Sequence, residues 1–299
     1  MATLLKKVDM KKSLGVIGYG KLGSNLSNLF AKEFSVAWII DSNQKTRKIA
    51  SKKLPNVKIL SSFKKVPDLP DYIFLTVEDS SIGNLAIEIS EYFKEKLKKK
   101  LVLHCSGALS LGILNPLKKY GADIAVIHPY QTFYYPSENL LSGIGWSIRS
   151  ENRSEELKKL ITKLGGIPFV MNDDDKQTAL YHCSAVVASN FLNTLLSTAK
   201  EIAKLAGIPA EMFIPQIINT TIENNFSQIK NKKDFPLTGP YSRADLKTIK
   251  KHIKALQKHP FLLKSYCYMA LSTIEKIKSE KMSDQNKITE IESLIKNYV

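Results

Sequence analysis

A chain of 299 residues, 43% hydrophobic and 24% charged, can bury a substantial core as one large domain or two moderate ones. Its three cysteines, Cys105, Cys183 and Cys267, are too few and too scattered for a disulfide framework or a metal knuckle, which fits a reducing, cytoplasmic setting. No apolar run approaches the roughly 18 to 20 residues that cross a bilayer, and Met1 to Lys7 lacks the apolar stretch of a secretory signal, so no membrane partner is expected.

The formal charge of +16 raises the question of nucleic acid. Only Arg47, Arg149, Arg153 and Arg243 are arginines, and the lysines are spread over several amphipathic stretches, among them Glu95 to Lys100 and Lys247 to Lys258. Arginine is the better bidentate reader of phosphate and guanine, so no specific nucleic-acid partner is expected. A positive surface suits an anionic cofactor or a small, anionic substrate.

Met10-Lys11-Lys12 makes a natural start to the fold, with an extension ahead of it. Apolar runs predict strands at Leu14 to Gly18, Val36 to Ile40, Val57 to Leu60, Tyr72 to Val77, Leu101 to Cys105 and Ile124 to His128. Helical periods fall between them at Lys21 to Phe34, Thr46 to Ala50, Ser81 to Phe93 and Leu109 to Lys119. Two more strands, Gly145 to Arg149 and Ile167 to Met171, flank a helix from Glu155 to Leu164 and extend the same sheet. This alternation predicts an α/β protein: a doubly wound, mostly parallel sheet over residues 10–171. After Asn172 the pattern is all helical. Asp173-Asp174-Asp175 caps a long helix that runs to Ala206, about 45 Å at 1.5 Å per residue, the length of a spine between subunits or domains. Further helices follow at Ala210 to Gln228, Arg243 to Gln257 and Phe261 to Ser279. Residues 172–285 therefore read as a helical domain for substrate binding and dimerisation, and residues 286–299 as a polar, frayed tail.

The chemistry gathers first at Gly18-Tyr19-Gly20-Lys21-Leu22-Gly23, a G-x-G-x-x-G turn between strand and helix. Gly18 would allow the sharp bend, Gly20 the approach of a pyrophosphate, and Gly23 close packing of helix on strand, with free helix N–H groups facing the phosphates. The acid that such a site wants roughly 20 residues on is Asp41, at the end of the second strand. Ligands in open α/β sheets sit outside the carboxyl ends of strands. The cofactor-binding candidates are therefore Gly18, Tyr19, Gly20, Lys21, Leu22 and Gly23, then Asp41 and Ser42, then Val77 and Asp79. The cofactor is NAD or NADP: the Asp41 carboxylate favours NAD, while Lys45 and Arg47 partly offset it.

Catalytic candidates lie at other strand ends and on the long helix. Ser106, in His104-Cys105-Ser106-Gly107-Ala108, could bind nicotinamide or substrate, and His128 ends the following strand. His182 shares a broad helix face with Ser189 and Asn190, so His182 could move a proton near neutral pH while Asn190 holds a carbonyl or carboxylate. Each also has a plain structural reading, as a strand-end turn or a polar pair in a helix interface. Cys105 is a poor nucleophile, because neighbours on a strand point to opposite faces and His104 cannot activate it. The loop Thr238 to Asp245 offers Arg243 as a carboxylate holder, although a capping box of Ser242 and Asp245 explains it as well. The five histidines form no H-E-x-x-H or similar cluster, so no metal is expected.

These motifs, with His128-Pro129-Tyr130-Gln131-Thr132-Phe133, Tyr181-His182 through Ser189-Asn190, and Thr238-Gly239-Pro240 with Arg243, Asp245 and His252, resemble one family. It comprises Rossmann-like NAD(P)-dependent oxidoreductases with a helical C-terminal domain of unknown function. That family is similar to pyrroline-5-carboxylate reductase, ketopantoate reductase and the 6-phosphogluconate and β-hydroxyacid dehydrogenases. The resemblance implies a dinucleotide-binding domain, a helical domain that pairs as a homodimer, and hydride transfer between nicotinamide and a small carbonyl, imine or alcohol. The alternative is a non-catalytic NAD(P)(H)-binding regulator or scaffold. The hydroxyacid dehydrogenases carry a lysine followed four residues later by asparagine in the long helix; here Lys176 is followed by Leu180, and His182 with Asn190 occupies that region.

Overall fold

The computed structural model describes residues 11–134, 141–231, 236–280 and 282–299. The extension expected ahead of Met10 lies outside them. The chain divides into a unit ending at Ser189 and a second beginning at Asn190.

The first unit is an eight-stranded sheet of β1 (Ser13–Ile17), β2 (Ser35–Ile40), β3 (Lys58–Leu60), β4 (Tyr72–Leu75), β5 (Leu101–His104), β6 (Asp123–Pro129), β7 (Gly145–Ser150) and β8 (Ile167–Val170). Its order is β3-β2-β1-β4-β5-β6-β7-β8, with every neighbouring pair parallel except β6 and β7. The chain reverses direction of winding between β1 and β4, which makes their carboxyl ends the switch point where such sheets bind ligands. Helices α1 (Lys21–Phe30), α2 (Gln44–Lys53), α3 (Asp79–Phe93), α4 (Asn115–Lys118), α5 (Ser154–Lys163) and α6 (Asp175–Val186) complete the unit. Strand alternation sorts the core onto two faces. Leu14, Val16, Tyr72, Phe74, Leu103, Cys105, Ile127, Trp146 and Ile148 pack on one. Ile17, Ile73, Leu75, Val102, Ile124 and Val126 pack on the other.

Beyond the far, amino-terminal end of the sheet lies an ion-pair cluster. Glu156 accepts from Lys12 at 2.5 Å, from Arg153 at 2.8 Å and from the Tyr72 hydroxyl, while Arg153 also reaches Asp123 at 2.6 Å. Burial alone would raise the Glu156 carboxyl, but these hydrogen bonds hold it down at about 2 from an ordinary value of 4.5. Its folded pKa lies below its unfolded one, so its contribution to stability is complete above about pH 5 and fades as pH falls towards 2. Thermal melts should show Glu156→Gln less stable than the native chain at pH 7, with the gap closing as the pH is lowered from 5 to 2. A gap that does not change with pH would remove the carboxylate from this role.

The second unit is helical: α7 (Leu192–Leu205), α8 (Ala210–Asn231), α9 (Leu246–Leu256), α10 (Pro260–Glu280) and α11 (Gln285–Lys296). Ile249, Ile253, Cys267, Ile274 and Ile277 form its core together with Ile288, Ile291 and Ile295 of α11. Residues 286–299 are therefore not a frayed tail, since isoleucines three and four apart give a buried stripe within a polar stretch. Asp284 caps α11, accepting from Asn286 and Lys287 N–H groups.

Two further expectations are corrected. The helix expected as one α-run to Ala206 contains a π segment, Val187–Phe191, between α6 and α7. Such a segment alters the angle between successive side chains, so the α-helical spacing assigned to His182, Ser189 and Asn190 does not hold across it. The cap of α9 is Asp245, not Ser242: Asp245 accepts from the Thr248 N–H and hydroxyl at 3.0 and 2.7 Å. Ala244 stands at φ 49°, a left-handed residue that breaks the helix expected from Arg243.

Candidate functional site

The glycine turn follows β1 at the switch point. Gly18 has φ +97°, where L side chains are rare, and a Cβ there would lie 2.7 Å from the Thr76 carbonyl oxygen. Gly18 N–H donates to Ile40 O at 2.7 Å, while the Thr76 hydroxyl donates to Gly18 O at 2.6 Å, so the turn is fastened to the ends of both β2 and β4. Gly23 meets those same atoms from the helix side. Gly20 alone faces open space, with nothing within 4 Å of a Cβ built on it. It precedes α1, whose first N–H groups have no intrahelical acceptor.

Asp41 stands where the spacing placed it. One carboxylate oxygen accepts from Tyr19 N–H and the other from Asn43 N–H, each at 2.8 Å. The acid therefore anchors the glycine turn as well as lining the space beside it. Arg47 donates to the carbonyl oxygens of Asp41 and Ser42 at 2.8 and 2.7 Å. A cleft of about 740 Å³ opens here, bounded by Gly18, Gly20, Asp41, Ser42 and Val77 among the expected residues. Ser61, Ser62 and Phe63 after β3, Thr76, and Ser81 and Asn84 of α3 also line it and were not singled out in the sequence. The signal for them was the general rule of strand carboxyl ends. Tyr19 and Leu22 do not line the cleft: the Tyr19 ring is buried in the core and Leu22 packs against it. Lys21 lies over the Tyr134 ring at 5.1 Å. Gly23 contributes by packing rather than by lining.

A second group of polar residues gathers at the β5, β6 and β7 ends. Alternation along parallel β5 and β6 puts His104 and His128 on one face, and the antiparallel register of β7 pairs Val126 with Arg149 and His128 with Ser147, on that same face. Cys105 points to the opposite face, and burial pushes its thiol far up, leaving it inert. Arg149 is 1% exposed and donates to the Thr178 hydroxyl at 2.9 Å and to Ser106 O at 3.4 Å; Asp173 lies 3.5 Å away. Arginine stays protonated in proteins, so a fixed positive charge sits under the site.

Ser106 is tightly engaged. Its hydroxyl donates to Asp79 at 2.6 Å and accepts from the Ala108 and Leu109 N–H groups, while its own N–H donates to His104 Nδ1 at 3.2 Å. The single hydroxyl proton is committed, and Ser106 with Asp79 fixes the loop that carries Gly107. His104, fully buried, is held down to about 4 by desolvation, with Arg149 adding repulsion. His128 is also held down to about 4, by desolvation first and then by His182 and Arg149. Its ring lies against Gly107, where a Cβ would come within 2.9 Å of Cε1 and Nε2. Its Nδ1 is 2.8 Å from the Tyr181 hydroxyl. Tyr130, after β6, bonds to Ser184 at 2.8 Å. His182 is half-buried on α6 near His128, and Asn190 is exposed and opens the second unit. The first unit thus brings Ser106, His128 and His182 together. Arg149, Asp173, Thr178 and Tyr181 were not read as site residues, because only the β6–β7 register and the docking of α6 assemble them.

An open, mostly parallel sheet with a glycine turn at its switch point and an acid ending the second strand defines the Rossmann class of folds. Residues 5–129 match the profile of Rossmann-like domains, and residues 146–273 match that of a domain of unknown function, DUF2520. The chain carries a Rossmann-like domain followed by a DUF2520 domain. Among solved structures it is similar to a candidate NADP oxidoreductase from Bacteroides fragilis, at 22% identity over 84% of this chain and 93% of that one, TM-score 0.67. A protein from Thermotoga maritima is similar at 24% identity over 82% and 90%, TM-score 0.60. A pyrroline-5-carboxylate reductase from Coxiella burnetii is similar at 12% identity over 96% and 98%, TM-score 0.57. At these identities the likeness is one of fold. No curated protein sequence matches the chain.

Proposed function

We propose that the protein is an NAD(P)-dependent oxidoreductase that transfers hydride between nicotinamide and a small carbonyl, imine or alcohol. The observation that carries this is the open position at Gly20, in a turn whose other two glycines are closed in by backbone, on the wall of a cleft at the switch point. The names of the fold relatives, a candidate NADP oxidoreductase and a pyrroline-5-carboxylate reductase, agree with it.

Gly18, Gly20 and the first free N–H groups of α1 would hold the pyrophosphate, with Gly23 letting the helix pack close enough to present them. Asp41 and Ser42 would hold the adenosine ribose, with Val77 beside it. The dinucleotide supplies or accepts the hydride. His128, with Ser106 and Asp79 fixing the adjoining loop and His182 beside it, would face the reacting centre. NAD is preferred over NADP, because Asp41, Glu78 and Glu88 give this cleft three carboxylates against a 2′-phosphate. The exposed apolar side chains of α7 and α8, Leu195, Met212, Phe213, Ile217, Phe226 and Ile229, suit burial against a second copy, so the working form is a homodimer in the cytoplasm. Among the described residues no helix is long and apolar enough to cross a membrane.

A panel of small carbonyls, imines and alcohols assayed with NADH, NADPH and their oxidised forms tests the proposal, with light scattering on the same sample for the dimer. Sustained turnover with a lower KM for NAD(H) is expected. Binding without turnover would favour the regulator or scaffold.

A further inference from the structure

Tyr181 belongs to none of the roles above, yet its hydroxyl meets a ring nitrogen of His128. The His128 ring is pressed against Gly107 on one side. Tyr181 meets it nearly at right angles, ring centroids 5.5 Å apart, with its hydroxyl 2.8 Å from Nδ1. Another acceptor near that hydroxyl, His128 O, is 3.4 Å away, and Ser147 also lies beside it. A phenol has one proton to donate and a neutral imidazole has one acceptor nitrogen. Donation along the shorter contact therefore leaves the ring hydrogen on Nε2, the nitrogen against Gly107. Arg149 and His182 oppose a second proton on the ring; Asp79 favours one, and His104 opposes it.

We propose that Tyr181 is a positioning residue that holds His128 as its Nε2–H tautomer, so that Nε2–H is the proton donor to the oxygen or nitrogen of the substrate. The inference rests on the oxidoreductase reading. As electron density builds on that oxygen or nitrogen, Nε2 gives up its proton and Nδ1 takes the Tyr181 proton in exchange. The negative charge is left on the phenolate oxygen, beside Ser147 and in the field of Arg149. Once product has left, Nδ1 returns its proton to the phenolate and Nε2 takes one from water, which restores the starting tautomer. Burial pushes the Tyr181 hydroxyl up, with Ser147 and Arg149 only partly offsetting it, so the phenol rests protonated as the donor to Nδ1 and its charge is transient, while a cationic His128 is opposed by its surroundings.

Two-bond ¹H–¹⁵N correlation spectra of the full chain with ¹⁵N-labelled histidine, at pH 7.5, read the tautomer without any substrate, and His128→Gln assigns the signals. A protonated Nε2 and an unprotonated Nδ1 are expected for His128. Tyr181→Phe should mix the tautomers and lower kcat by about tenfold or more, with dinucleotide affinity unchanged. A native spectrum with hydrogen on Nδ1, or a Tyr181→Phe enzyme with native kcat, overturns the role of Tyr181 and leaves the oxidoreductase reading standing. A native protein that binds dinucleotide but turns over nothing overturns that reading, and with it the donor role of His128.

Discussion

Gly20→Ala is expected to fold and melt like the native chain while losing at least about tenfold in dinucleotide affinity, a cost of about 1.4 kcal/mol or more. Stability should be untouched because the added Cβ meets nothing within 4 Å and the backbone, at φ −70° and ψ −160°, is one that alanine adopts freely. Replacing a glycine at a compatible position also narrows the unfolded ensemble, so a small gain in melting temperature is the more natural deviation. Binding should suffer because the methyl group projects into the space at the α1 N-terminus that a pyrophosphate would occupy. Calorimetric titration with NADH beside a thermal melt separates the two effects. Native affinity in the variant would mean that the open position is incidental.

Gly23→Ala should do the reverse and strike the fold. A Cβ on Gly23 would stand 2.0 Å from Gly18 O and 2.7 Å from the Thr76 hydroxyl, two atoms already bonded to each other at 2.6 Å. Neither can yield cheaply: one is backbone in a turn fastened to β2 and β4, and the other ties the end of β4 to it. Helix α1 would have to move off the sheet, carrying the buried side chains of Leu26, Leu29 and Phe30. Overpacking of this kind costs about 1–3 kcal/mol, and the backbone contact places this variant at the upper end. Chemical denaturation should show a midpoint well below the native one. An unchanged midpoint would mean that helix and strand are less closely coupled than their distances imply.

These two glycines mark how far the sequence could be read. Their order, the strand before them and Asp41 after the next strand placed the cleft, because each is local in the chain and tied to a backbone requirement. All eight strands were legible for the same reason, as short apolar runs between turns. The second polar group was not. Arg149 reads as an ordinary strand residue until antiparallel pairing sets it opposite Val126, and nothing local in β7 announces its direction. Tyr181 was overshadowed by His182, since a helix face can be counted from spacing but its angle to the sheet cannot. Ser106 looked available because its partner, Asp79, is 27 residues away in the sequence. The C-terminal isoleucines were hidden by the polar residues around them, and the π segment changed the angular count that linked His182 to Asn190.

The central claim is that the cleft beside Gly20 takes a nicotinamide dinucleotide. Isothermal titration of the native chain with NADH and NADPH tests it most directly. Saturable binding with one dinucleotide per chain, tighter for NADH, is the expected result, and no heat of binding for either up to millimolar concentrations would contradict it.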